Sequence, residues 1–387
     1  MAKYVRRQFS EIVGGSYFLF GPRGTGKTLW LRHTHPEAHC IDLLESDTHR
    51  SYAARPERLR EFLAGLSTGP KTVVVDEIQK VPQLLDEVHQ WMSQDPSTRF
   101  ILTGSSARKL KQQGVDLLAG RAAVLTMHPF MGFELQEEFS LTAALQWGML
   151  PVVWRAEDRE AALGAYLGVY LREEVQQEGL VRSVGSFSRF LEAISFSHGG
   201  VLNASAVARE CQVSRSTVEG YLSILEDLLL GFRIPVFNRR AARKLVVHPK
   251  FYLLDCGVYR KLRPRGPLDR SDEIGGAALE GLVAQHLRAW IAYSRKDHKL
   301  HYWRTKAGNE VDFVIYGSDC FAAVEVKAAR RVERRDLRGL RAFLDDYPES
   351  DAILLYGGKE RLRINGILCL PCEQFLRDLA PASELPH

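Results

Sequence analysis

Tyr17-Phe-Leu-Phe20 runs directly into Gly21-Pro-Arg-Gly-Thr-Gly-Lys-Thr28. The second stretch fits G-x-x-x-x-G-K-[ST], the pattern of a loop that wraps phosphate groups between a strand and a helix. Gly21, Pro22, Arg23, Gly24, Thr25 and Gly26 supply backbone that curls around the phosphates. The positive end of the following helix faces the same anion. Lys27 is placed to reach the β- and γ-phosphates, and the Thr28 hydroxyl is placed to coordinate Mg²⁺. A merely structural glycine turn has the same letters. Strand, loop and amphipathic helix in that order favour nucleotide binding with Mg²⁺.

Apolar runs recur downstream at Cys40-Ile-Asp-Leu43, Thr72-Val-Val-Val75, Phe100-Ile-Leu102 and Ala123-Val-Leu125. Unbroken apolar runs separated by amphipathic stretches predict a parallel sheet buried on both faces. The third run delivers Asp76-Glu77 to its C-terminal edge. There Asp76 can hold Mg²⁺ through water and Glu77 can polarise an attacking water. An acidic pair after a strand also caps helices, but its order after the phosphate loop favours catalysis. Phe100-Ile-Leu-Thr103-Gly-Ser-Ser106 is a strand ending in hydroxyls. Leu118-Ala-Gly-Arg121 sets an arginine before the next strand, either as a finger for a neighbouring subunit's γ-phosphate or as a surface cation.

The chain has 387 residues, 45% hydrophobic and 26% charged, which excludes a disulfide-stapled mini-fold and a largely disordered chain. No apolar stretch reads as a signal peptide or a membrane span, and six scattered cysteines read as reduced thiols, so the expectation is a cytoplasmic protein. Cys369-Leu-Pro-Cys372 lacks a second pair at zinc-site spacing and reads as the close of a terminal strand. Lys plus Arg exceed Asp plus Glu by 52 to 47, and eleven of those cations against three acids fall between Gly231 and Asp272.

From Ala143 to Leu230 the period is helical, with Leu163, Tyr166, Leu167, Tyr170 and Leu171 on one face. Ser205 to Leu225 has helix-turn-helix spacing, with Val213 in the turn and Val218, Tyr221, Leu222 and Leu225 as an apolar stripe. Ser214 is placed to cap the second helix, exposing Arg215, Ser216 and Thr217. Phe232–Phe237 and Lys250–Leu254 would form a wing joined by Arg239, Arg240, Arg243 and Lys244. Such a module either contacts DNA phosphates or serves as a rigid spacer or a protein-docking module.

Beyond Pro264-Arg-Gly-Pro267, a helix is expected over Gly276–Tyr293. Glu310-Val-Asp-Phe-Val-Ile315 and Phe321-Ala-Ala-Val-Glu-Val-Lys327 read as a hairpin. Period two sets Glu310 with Asp312, and Glu325 with Lys327. Asp312 and Glu325 suit a hard cation, Mg²⁺ or Mn²⁺, with Lys327 orienting water, and Glu280 stands on the expected helix, where it matches the helix acid that PD-(D/E)XK folds, which this hairpin resembles, often add. A cross-strand ion pair between Lys327 and Asp312 is the structural alternative.

With these motifs in view the chain resembles prokaryotic AAA+ ATPases whose C-terminal part is a PD-(D/E)XK nuclease-like domain. The resemblance runs through Tyr4-Val-Arg-Arg7, the phosphate loop, Val75-Asp-Glu-Ile-Gln79, Thr103-Gly-Ser105, Leu118-Ala-Gly-Arg121, Phe251-Tyr-Leu-Leu-Asp255 and the two hairpin motifs. It implies an α/β chain in three parts. These are an ASCE-type ATPase sheet over residues 1–137, a helical and winged-helix module over 138–266, and a restriction-endonuclease-like domain over 267–387. It implies Thr103 as a sensor of the γ-phosphate. The expected function is Mg²⁺-dependent ATP hydrolysis by a homo-oligomer, coupled to DNA engagement and DNA cleavage. The rival expectation is a regulatory ATPase whose last domain binds a partner and cuts nothing.

Overall fold

The computed structural model describes residues 4–66, 71–105, 121–170, 184–239, 243–267 and 269–386. Ser106, Leu118 to Gly120, Leu171 and Arg240, named above, lie outside them. The chain forms two compact units: residues 9–128 with 227–229, and residues 1–8, 129–226 and 230–387. The middle and C-terminal segments share one unit.

In the first unit, β1 (Tyr17–Phe20), β2 (His39–Asp42), β3 (Lys71–Asp76), β4 (Thr98–Gly104) and β5 (Ala123–Thr126) form a parallel sheet in the order β2-β3-β4-β1-β5. Each expected strand is present within a few residues. Phe18, Phe20, Val73, Val75, Phe100 and Leu102 are buried with Leu59 and Leu63, and with Leu84, Leu85 and Val88 of α2 (Leu84–Gln94). Burial of such side chains stabilises by about 1.5–3 kcal/mol each. The order of the sheet matters for chemistry. β4 lies between β1, which feeds the loop, and β3, which ends in Asp76, so the three strand tips converge on one edge.

In the second unit, α3 (Ala204–Cys211) and α4 (Arg215–Asp227) carry the helix-turn-helix spacing, and Val218, Tyr221, Leu222 and Leu225 are buried as the period requires. Ser214 Oγ accepts the Thr217 N–H at 3.1 Å. A small antiparallel sheet follows from β6 (Gly200–Val201), β7 (Gly231–Ile234) and β8 (Lys250–Leu253), in the order β6-β8-β7. The next helices are α5 (Cys256–Leu262) and the 24-residue α6 (Ser271–Ser294).

The last sheet is mixed and six-stranded, order β13-β14-β12-β11-β10-β9. Its strands are β9 (Lys299–Arg304), β10 (Glu310–Tyr316), β11 (Phe321–Lys327), β12 (Asp351–Tyr356), β13 (Leu362–Ile364) and β14 (Ile367–Pro371). β10 and β11 pair antiparallel from Tyr316 with Phe321, which is the expected hairpin. One expectation changes: β10 is buried on both faces, Asp312 included, rather than backed by an apolar face alone. Cys369 and Cys372 are buried free thiols at the end of β14. Among the described residues no helix is long and apolar enough to cross a membrane.

Candidate functional site

The phosphate loop leaves β1 and enters α1 (Lys27–Thr34). Gly24 and Gly26 hold φ of 79° and 87°, a region that glycine enters without steric cost. A Cβ at Gly26 would meet nothing within 4 Å, so the loop leaves open space on that side. Lys27 is buried, and its ammonium donates to Gly21 O at 2.7 Å and Pro22 O at 3.4 Å. Thr25 is buried with its hydroxyl on Pro22 O at 2.7 Å, whereas Arg23 is exposed.

Thr28, Asp76 and Thr103 meet at the strand tips. Thr28 Oγ1 donates to Asp76 Oδ2 at 2.7 Å, and Thr103 Oγ1 donates to Asp76 Oδ1. The Glu77 N–H donates to Thr103 Oγ1 at 3.1 Å. This set of hard oxygens fits Mg²⁺, whose ligands are carboxylate, hydroxyl and water. Glu77 stands half-buried beside it in the left-handed region, φ 61° and ψ 48°, a conformation that non-glycine residues adopt rarely and often at functional sites. Gln79 closes the Val75-Asp-Glu-Ile-Gln79 motif without being given a role there, yet it touches the candidate base directly. Its Nε2 lies 2.5 Å from Glu77 Oε2 and 3.1 Å from Ser105 Oγ, and its side chain is buried. Arg121 is exposed, and it donates to Ser93 Oγ at 2.6 Å.

The second unit gathers the other candidates. Glu280 comes from α6, Asp312 from β10, and Glu325 and Lys327 from β11. Lys327 Nζ donates to Glu325 Oε1 at 2.5 Å, so the cross-strand alternative with Asp312 is replaced by a pair along one strand. Asp312 Oδ2 accepts the Val326 N–H at 3.0 Å. A lysine that the sequence reading left in the wing completes the cluster. Lys250, buried on β8, approaches Glu280 at 2.9 Å, Glu310 at 2.6 Å and Asp312 at 3.1 Å. Tyr252, two residues along and therefore on the same strand face, donates to Glu280 Oε1 at 2.6 Å. The only signal available in sequence was this spacing of two polar tips in an otherwise apolar strand.

Burial, reinforced by the Asp312 charge, raises Glu280 to about 7 and Glu325 to about 8. Burial alone would lower Lys250, but Glu280, Tyr252, Asp312 and Glu310 outweigh it and hold the ammonium well above its ordinary range. The carboxylates do not fit a metal as they stand, because ammonium groups already engage them. Among the described residues no three His, Cys, Asp or Glu side chains are arranged to hold an ion. Asp255, from the Phe251-Tyr-Leu-Leu-Asp255 motif, is structural: its carboxylate accepts from the N–H groups of Met149 at 2.6 Å, Gly257 at 2.9 Å and Val258 at 3.1 Å.

No curated protein matches the sequence. Among solved structures the chain is similar to a Signal Transduction ATPase with Numerous Domains protein with a tetratricopeptide repeat sensor from Pyrococcus horikoshii. Identity is 13% and the TM-score 0.25, over 72% of this chain and 45% of that one, so the chain spans about half that protein's length. Residues 275–375 match a domain of unknown function (DUF4143), and residues 138–269 match another (DUF8612). Residues 14–136, the stretch that carries the phosphate loop, Asp76, Glu77 and Thr103, match an AAA domain, so this part of the chain is similar to the AAA-type ATPases.

Proposed function

We propose that the chain is a Mg²⁺-dependent ATP hydrolase. The observation that carries this reading is the convergence of Thr28, Asp76 and Thr103 through shared hydrogen bonds, with Glu77 beside them. Lys27 exchanges its loop carbonyls for phosphate oxygens, and the loop N–H groups hold the remainder of the anion. When bound, Mg²⁺ neutralises charge on the phosphates. Thr28 and Asp76 supply its protein oxygens, Glu77 orients and deprotonates the attacking water, and Thr103 fixes Asp76 and the Glu77 backbone together. The test is Glu77→Gln, which keeps shape and removes the base. It should bind ATP with near wild-type affinity and release phosphate at least about a hundredfold more slowly. Wild-type turnover in this variant would remove Glu77 as the base.

Assembly into a homo-oligomer rests on Arg121, whose exposed guanidinium at the start of β5 is available to a neighbouring subunit. DNA engagement rests on the exposed cations Arg215, Arg239 and Lys244 and on Arg330, Arg331, Arg334 and Arg335. Counter to it, Glu219 lies 3.9 Å from Arg215, and Glu333 lies 2.9 Å from Arg335. Phosphate contact predicts binding that weakens steeply with salt. For the C-terminal acid cluster we favour the partner-binding module over the nuclease, because both ammonium groups engage carboxylates. Incubation of the whole protein with supercoiled DNA and Mn²⁺ tests that choice; nicking would overturn it.

A further inference from the structure

Lys250 Nζ donates to Glu280 Oε1 from α6 and to Asp312 Oδ1 from β10, and lies 2.6 Å from Glu310 Oε1 of the same strand, so three different carboxylates surround it. Three carboxylates about one ammonium match the three donors it can offer. The fourth carboxylate, Glu325, is held by Lys327. The nitrogen is buried and shielded on one side by the Tyr302 ring, whose centroid lies 5.7 Å away. Every acid of the cluster is therefore engaged by a cation of the chain itself.

We propose that the Lys250 ammonium is the resident cation of this cluster, seated where the resemblance implies a divalent ion, and that the folded chain takes no metal there. This rests on the partner-module reading of the domain and names the group that makes it silent. A divalent ion would have to bind carboxylates beside a buried positive charge. It would also have to leave Lys250 without acceptors, or expel it from β8. Either step is costly, because a buried charge stripped of its partner loses several kcal/mol. Removing Lys250 has the opposite effect. Glu280, Glu310 and Asp312 then lose their shared cation and are left facing one space, which is the condition a hard divalent ion exploits.

The experiment titrates Mn²⁺ into the nucleotide-free full chain and follows free Mn²⁺ by electron paramagnetic resonance. Wild type and Asp312→Asn should give superimposable curves, since neither holds an ion at the cluster. Lys250→Met should gain one ion per chain, bound at least about tenfold more tightly than any wild-type site, and Lys250→Met/Asp312→Asn should lose it. A wild-type ion that Asp312→Asn removes would overturn the proposal. So would a folded Lys250→Met chain, checked by circular dichroism, that gains none. If Lys250→Met does not fold, the comparison of wild type with Asp312→Asn still decides. DNA nicking by a wild type without a cluster ion would sink the silent-module reading while leaving Lys250 in place. Mn²⁺ binding without nicking would sink Lys250 alone.

Discussion

Thr28 and Asp76, 48 residues apart in the chain, share one hydrogen bond of 2.7 Å from Oγ1 to Oδ2. The bond joins the start of α1 to the end of β3, and Thr103 reaches the other oxygen of the same carboxylate. Asp76 is thus the hub of the nucleotide site. Asp76→Ala should strip two hydroxyls of their acceptor and lower the stability of the nucleotide-free chain by about 1–3 kcal/mol, read from urea unfolding.

Lys27→Ala should remove the buried cation of the phosphate loop and weaken ATP binding by at least about tenfold, since charge-assisted bonds to phosphate are the strong ones. Fluorescent-nucleotide titration reads the loss. Affinity within twofold of wild type would place the phosphates elsewhere.

Gln79 touches the base rather than the substrate, so it is a positioning residue. Gln79→Ala should lower kcat by about tenfold with KM nearly unchanged, and should add little in a Glu77→Gln background, because the two act as a unit. Additive losses in the double variant would show that Gln79 serves another purpose.

Arg121→Ala should reduce ATP turnover with little change in ATP affinity, as a finger contributes mainly in the transition state. Turnover per subunit should rise with protein concentration. Flat turnover across dilution would leave Arg121 as the partner of Ser93 alone.

The acid cluster sets a pH dependence with a definite sign. A carboxyl whose native pKa lies above its unfolded value stabilises the fold fully below the unfolded value, and that contribution is lost as pH rises through the native one. With the ordinary carboxyl value at 4.5, Glu280 at about 7 and Glu325 at about 8 therefore make stability fall from about pH 4.5 to about 8, the share of Glu280 ending near 7. The slope per proton is at most about 1.4 kcal/mol per pH unit. Urea midpoints should follow this fall, and Glu325→Gln should flatten its upper part. A midpoint constant over that range would mean that both carboxyls are ionised throughout.

Gly257 follows the Asp255 cap, and a Cβ there would lie 2.3 Å from Trp147 O. Gly257→Ala should therefore destabilise the second unit by about 2–4 kcal/mol, a clash with backbone that no rotamer relieves. Asp255→Ala should do the same by orphaning three buried N–H groups.

The parallel sheet was legible because strands buried on both faces carry unbroken apolar runs, and Val73-Val-Val75 and Phe100-Ile-Leu102 do so visibly. The loop was legible because its glycines, lysine and threonine are contiguous. Lys250 was not. Its partners stand 30 and 62 residues away, on a helix and on another sheet, and no local period links them. Read as the first residue of the Lys250–Leu254 wing strand, it carries no hint of them. Gln79 was legible as the end of a motif but not in its role, because nothing local shows its contact with the base until the turn at Glu77 folds it back. Phe251-Tyr-Leu-Leu-Asp255 was legible as a motif, but its function is to anchor backbone.

The seat of Lys250 bears on how the protein can be dissected. β8 lies outside residues 275–375, the span of the C-terminal family match, whereas Glu280, Glu310, Asp312 and Glu325 lie within it. On the proposal above, a fragment cut to that span would carry four clustered acids against Lys327 and Arg304, and would recruit divalent ions that the intact chain refuses. Any cleavage displayed by such a fragment would then be an activity created by the cut.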